Sequence, residues 1–299
     1  MHSQSDGASE TSGDASARFD RTAIQLRPLA ERGSDLDVGG VRPLAADRGF
    51  RHPDLPGLAD AIHAARKRGA AVILLLGGHP IKLGLSRYLA DLIERGLVTH
   101  VATNGSGIIH DFELAAFGET SENVAKWIQA GQFGLWRETG RLNDVIRQAA
   151  DRDQGLGEGV GRVIEEERFP HRELSLCAAG WRCGVPVTCH VTIGADIIHA
   201  HANCDGAALG QTSYADFLTF AESVRRLEGG VYLNIGSAVT GPEVFLKALG
   251  ATVDQPQVKC ATGSASADVG SSAEDRHPQL EGVRHGTSPT VEASSRTRA

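Results

Sequence analysis

The run Ala71-Val-Ile-Leu-Leu-Leu76 is apolar without interruption and is halted by Gly77-Gly78. It is far too short to span a bilayer, and it has the make-up of a strand buried on both faces. A strand of that kind needs a covering layer on each side. The flanking pattern supplies the layers. Leu58, Ala61, Ile62 and Ala65 recur at helical spacing before a stop at Gly69, and Leu85, Leu89, Leu92 and Ile93 form a second stripe closed by Gly96. Val98–Ala102 reads as the next strand, followed by a loop over Thr103–Gly107. Further strands are predicted at Val185–Val191, Ile197–Ala200 and Val231–Ile235, the last running into Gly236-Ser237. Ser213, with Asp216 three residues on, predicts the start of a helix between the final two strands. Strand–helix alternation with short glycine turns defines an α/β chain with a mostly parallel sheet and helices on both faces.

The ends of the chain have a different composition. Residues 1–54 are rich in Ser, Gly, Asp and Arg; they are expected to be disordered through Ser16 and to form an arm from Phe19 to Leu44. After Leu249 no Ile, Met or aromatic residue occurs, so residues 251–299 are expected to form a low-complexity, disordered tail. A reading-frame shift that replaced a last strand and helix would leave the same composition. The folded domain is therefore placed at 55–250 of the 299 residues. A net charge of −7 without any long Lys/Arg run disfavours nucleic acid as a partner. Met1–Asp6 shows no secretory pattern and no apolar run suits a membrane. Cys177, Cys183, Cys189, Cys204 and Cys260 include no C-x-x-C pair and read as reduced thiols, so a cytoplasmic location is expected.

In open α/β sheets ligands bind beyond the carboxyl ends of the strands. Here those ends read Gly77-Gly78-His79, Thr103-Asn104-Gly105-Ser106-Gly107, Cys189-His190, His199 to Gly206, and Asn234 to Ser237. Glycine permits close approach of a phosphate or sugar, and the amides and hydroxyls supply donors, so a nucleotide-sized site is expected. The G-x-G-x-x-G, P-loop and G-x-S-x-G signatures are all missing. A metal-dependent hydrolase built on His199, His201 and Asp205 is an alternative, because His-x-His at a strand end is a metal-ligand spacing. A non-catalytic nucleotide-binding protein is another.

Val72–Gly78, Leu89–Val98 and Val101–Asp111, followed by Gly184–Val187, Gly194–Ile198 with His201, and Tyr232–Val239, resemble the deoxyhypusine synthase family in order and spacing. The resemblance covers about 55–250 and implies a Rossmann-like fold, NAD held without the usual fingerprint, and a homotetramer. It also implies an activity: oxidation of spermidine, then transfer of a butylamine unit through a lysine imine to an amine acceptor. Position by position, Gly77, Gly78, His79, Thr103, Asn104 and Gly105 would face the cofactor, and Asp196, Gly236 and Ser237 would border its nicotinamide or ribose. His110 and Asp111 fall where the family places an acidic pair for the polyamine. Glu243 falls where it carries a substrate-site histidine. The family's W-G-K lysine segment is missing. Lys82 is the one lysine near a strand's carboxyl end, and is expected at the head of a helix, whose N-terminus would lower its pKa and favour nucleophilic attack.

Overall fold

The structure is a computed structural model that describes residues 18–44, 49 and 51–252. The central sheet has four parallel strands: β2 (Val72–Leu76), β3 (His100–Asn104), β5 (Val187–His190) and β6 (Val231–Ile235), in the order β5-β3-β2-β6. A separate antiparallel pair joins β1 (Ser34–Asp37) to β4 (Glu119–Glu122). The helices are α1 (Leu55–Lys67), α2 (His79–Lys82), α3 (Ser86–Glu94), α4 (Gly105–Phe117), α5 (Val124–Gln129), α6 (Arg141–Asp151), α7 (Leu156–Glu166), α8 (Leu176–Cys183), α9 (Gly206–Arg225) and α10 (Thr240–Thr252). This is a mixed α/β fold of the Rossmann-like kind.

The pleat of β2 explains the two layers. Every residue of β2 is buried. Val72, Leu74 and Leu76 join one core with Ile93 of α3, Phe112 of α4, Val163 of α7 and Ala179 of α8. Ile73 and Leu75, facing the other way, pack with Phe220 and Val224 of α9 and Ala248 of α10. Each such aliphatic side chain contributes about 1.5–3 kcal/mol by leaving water. Register runs Ile73↔His100 to Leu76↔Thr103, Val72↔Val231 to Leu76↔Ile235, and Val101↔Val187 to Asn104↔His190. The chain steps outward from β2 through β3 to β5, then returns past β2 to β6. The order therefore reverses between β2 and β6, and that reversal is the switch point of a doubly wound sheet.

Some expected elements differ. Ile197–Ala200 is a 3-10 turn, not a strand. The helix expected from Ser213 begins earlier, because Asp205 caps it by accepting from the amides of Ala207 and Ala208. Ser213 and Asp216 are then mid-helix and serve other elements: Ser213 Oγ bridges to Cys189 and Val191, and Asp216 accepts from the amides of Gly157 and Cys189. The predicted loop over 103–107 is already the first turn of α4 from Gly105. Residues 18–44 hold three 3-10 turns and β1, and they place Arg32 in the interior. The segment expected to be disordered through Ser16 lies outside the described residues. So does the predicted tail, apart from Ala251 and Thr252, which close α10. Among the described residues no helix is long and apolar enough to cross a membrane.

Candidate functional site

Four loops meet at the carboxyl edge of the sheet. The Gly77 amide donates to the Ile235 carbonyl at 3.0 Å, and a Cβ on Gly77 would fall 1.9 Å from the Gly236 carbonyl oxygen. The loops after β2 and β6 therefore touch through backbone. A Cβ on Gly105 would lie 1.8 Å from Asp196 Oδ2, which joins the loop after β3 to that after β5. Gly78 packs on Ser106 and His110. The structure thus gathers Gly77, Gly78, Thr103, Asn104, Gly105, Asp196 and Gly236 at one edge. It also gives the glycines a role within the protein itself, since the loops need them to approach one another.

Two of the polar residues act as caps. Asn104 Oδ1 accepts from the Gly107 amide and from Ser106 Oγ, closing the N-terminus of α4. Ser237 Oγ accepts from the Gly241 amide and anchors the start of α10. His79 is exposed at the first residue of α2, and Thr103 is buried with its hydroxyl against Gly107.

Asp196 and His199 form a pair over Gly105. The amides of Gly194 and Asp196 donate to His199 Nδ1 at 3.0 and 3.2 Å. The neutral ring then carries its proton on Nε2. That nitrogen is buried, has no partner, and stands 3.7 Å from Asp196 Oδ2. Burial pushes the Asp196 carboxyl up to about 6 and lowers the His199 ring from its ordinary value. The carboxylate also lies at the positive end of α4. Ile108, Leu142, Ile146, Leu156 and Leu209 line a cavity of about 10 Å³ beneath the pair.

A second polar group lies on the far side of α4. Arg32 and Glu113 are each 1% exposed and pair at 2.7 Å. Glu113 also accepts from Thr139 Oγ1 at 2.5 Å and Thr120 Oγ1 at 2.7 Å, and Thr120 Oγ1 is 2.9 Å from His110 Nδ1. Burial lowers the His110 ring to about 4; Glu113 opposes that shift, while Lys82, Arg32 and His79 add to it. Nearby, Glu122 accepts from Trp136 Nε1 and the Gly134 amide, and burial raises its carboxyl. None of Arg32, Glu113, Thr120 or Thr139 was marked by motif or spacing. The available signal was Glu113 itself, a charge set in the otherwise apolar stretch Phe112 to Ala116.

Other sequence-predicted residues lie elsewhere or do other work. Lys82 is the last residue of one-turn α2, not its head, so the helix-terminus argument for an activated amine does not hold. Asp111 is 2% exposed and turned into the core, where it accepts from Ser175 Oγ and the Leu176 and Cys177 amides at the start of α8. Glu243 is exposed and pairs with Lys247 one turn on. The His199, His201 and Asp205 cluster is divided: His201 Nε2 donates to the Gly134 carbonyl, and Asp205 caps α9. Among the described residues no group of three or more His, Cys, Asp or Glu side chains is placed to hold a metal ion.

No protein-family model matches this chain. No curated protein matches it in sequence. Solved structures resemble it at low identity. An arginine dihydrolase from the ornithine-ammonia cycle in cyanobacteria shares 15% identity over 66% of this chain and 25% of its own, with a TM-score of 0.43. A protein provisionally assigned to the LOR/SDH group, from Methanococcus maripaludis S2, shares 13% over 80% and 69%, with a TM-score of 0.42. A provisionally assigned deoxyhypusine synthase from Entamoeba histolytica shares 11% over 61% and 75%, with a TM-score of 0.34. The chain spans about a quarter of the length of the first of these.

Proposed function

We propose that this chain binds a nicotinamide dinucleotide along the carboxyl edge of its sheet and oxidises a small aliphatic amine of the polyamine type. The observation that carries the reading is the pair over Gly105. An unpartnered His199 Nε2–H donor beside the Asp196 acceptor complements a carboxamide or a sugar hydroxyl, each of which offers both halves of the match. The pair lies at the edge where doubly wound sheets hold such ligands, and its donor and acceptor are the groups that would hold that end of a dinucleotide. When bound, the dinucleotide supplies the hydride acceptor. His199 and Asp196 orient it, the aliphatic floor excludes water beneath it, and Asp196 favours a cationic amine nearby. Transfer of a carbon unit belongs to the same proposal: Lys82, which ends α2 just after β2, would add through Nζ to the oxidised carbon while the original amine nitrogen leaves with the rest of the polyamine, and the acceptor amine would then displace Lys82. Assembly with further copies belongs to it too, supported by Ile235 on edge strand β6 and by Val239 and Leu246, all exposed.

Titration calorimetry with NAD tests the binding. Heat should appear with the wild-type chain and be lost in His199→Leu, and equal binding by that variant removes the basis of the reading. Borohydride reduction with NAD and spermidine should add mass at Lys82 but not in Lys82→Arg. NADH without added mass limits the chemistry to oxidation. Sedimentation showing only monomer removes the assembly.

A further inference from the structure

His110 follows Ser106 by four residues on α4, so both side chains share the helix face turned to Gly78. A Cβ at Gly78 would lie 2.7 Å from Ser106 Oγ and 2.9 Å from His110 Cδ2. One side of the imidazole therefore borders the carboxyl edge. The other side is tied into the interior by a chain of hydrogen bonds whose direction can be worked out from its far end. Arg32 donates to Glu113, and a carboxylate paired in this way only accepts. The single hydroxyl proton of Thr120 is thus committed to Glu113 Oε2. Toward His110 the same oxygen has only lone pairs to offer, so His110 Nδ1 carries the ring proton and donates. Nε2 is left with a lone pair. It has no partner among the described residues, and it is not among the sealed, unpartnered buried atoms, so it reaches solvent at the edge.

We infer that His110 Nε2 is a fixed hydrogen-bond acceptor at the carboxyl edge, and that it selects ligands presenting an N–H or O–H donor there. This rests on the reading of that edge as a ligand site. Thr120 and Glu113 are positioning residues, acting only through His110. The charged groups facing the ring are Lys82, Arg32 and His79 on the cationic side and Glu113 on the anionic side. Burial, helped by the three cationic groups and opposed by Glu113, keeps the ring uncharged near neutral pH, so the lone pair is retained. Asp196 and His199 do not supply the same selectivity, because together they match a donor and an acceptor at once. His110 accepts only.

Long-range proton–nitrogen correlation on histidine-labelled full-length protein at pH 7, without ligand, reads the tautomer directly. The wild-type ring should carry its proton on Nδ1. Thr120→Val should lose that preference, and Thr120→Ser, which keeps the hydroxyl, should retain it. A proton on Nε2 in the wild type, or an unchanged tautomer in a folded Thr120→Val, overturns the inference. Calorimetry with NAD and spermidine as the probes gives the second readout. His110→Phe should weaken spermidine binding about tenfold, the loss of one hydrogen bond to a charged or polar donor. Unchanged binding by His110→Phe overturns the selectivity alone. If neither probe binds the wild-type chain, the ligand-site reading fails and the selectivity fails with it, while the tautomer stands on its own measurement.

Discussion

Arg32→Met should be one of the most damaging single changes available in this chain. Arg32 and Glu113 are each 1% exposed, and their 2.7 Å contact has essentially no solvent around it. Arg32 also donates to Ser34 Oγ through Nε and Nη2, while Glu113 keeps two threonine hydroxyls as further donors. Removing the guanidinium leaves a carboxylate buried with two neutral partners. Breaking one side of a buried pair costs about 3–5 kcal/mol. For a domain of this size each kcal/mol lowers the melting temperature by about 2–4 °C, so a fall of about 6–20 °C is expected. Thermal denaturation at pH 7, followed by circular dichroism at low and high salt, measures it. The loss should be nearly independent of salt, since a sealed pair is poorly screened. Arg95→Met, which breaks an exposed pair with Asp91, serves as the control and should cost no more than about 1 kcal/mol. The double change Arg32→Met with Glu113→Leu should be milder than Arg32→Met alone, because it removes the orphaned charge. A fall below about 3 °C for Arg32→Met, or one that salt abolishes, would refute the reasoning.

Asp111→Ala should cost at least about 2 kcal/mol by leaving the Ser175 hydroxyl and the Leu176 and Cys177 amides without their acceptor; chemical denaturation measures this, and NAD affinity should stay unchanged. Gly105→Ala should displace the Asp196 loop, since the added Cβ would lie 1.8 Å from Asp196 Oδ2. Amide exchange should quicken around 194–199 even without ligand, and unchanged exchange would count against the packing described. Asp196 is held at about 6, above its ordinary 3.8, so the folded chain binds that proton more tightly than the unfolded one. Its contribution to stability therefore falls as pH rises from about 4 to 6. Asp196→Asn should remove that slope in the difference between the two denaturation profiles, despite the opposite slope from His110.

The parts of the fold legible in the sequence were those where one local rule decides the outcome. Val72–Leu76 has a single reading because a continuous aliphatic run between glycine stops can only be buried. α1 and α3 were visible because their apolar stripes face one core. α4 was not, because it buries residues around most of its circumference and shows no stripe. Ile197–Ala200 looked like a strand on composition, yet Asp196 and His199 lock it into a turn through side chain–backbone bonds that no periodicity encodes. In the candidate site, glycines and small polar residues at strand ends marked positions that the fold does gather at the carboxyl edge. What each residue does there depended on partners distant in sequence, as with Asp111 and the start of α8, or Ser237 and the start of α10.

The position of Arg32 has a consequence for how the chain is made. Its carboxylate partner lies 81 residues downstream, so an emerging chain holds the guanidinium in water until α4 has been synthesised and folded. The arm therefore leaves the ribosome well before α4 and finds its place only after it, closing a long loop at an entropic cost that short-range contacts avoid. Until it docks, Glu113 has no countercharge and the Thr120–His110 chain no anchor. The carboxyl edge would mature only after this earlier segment returns to it, and a chain truncated past Arg32 would form its sheet without completing that edge.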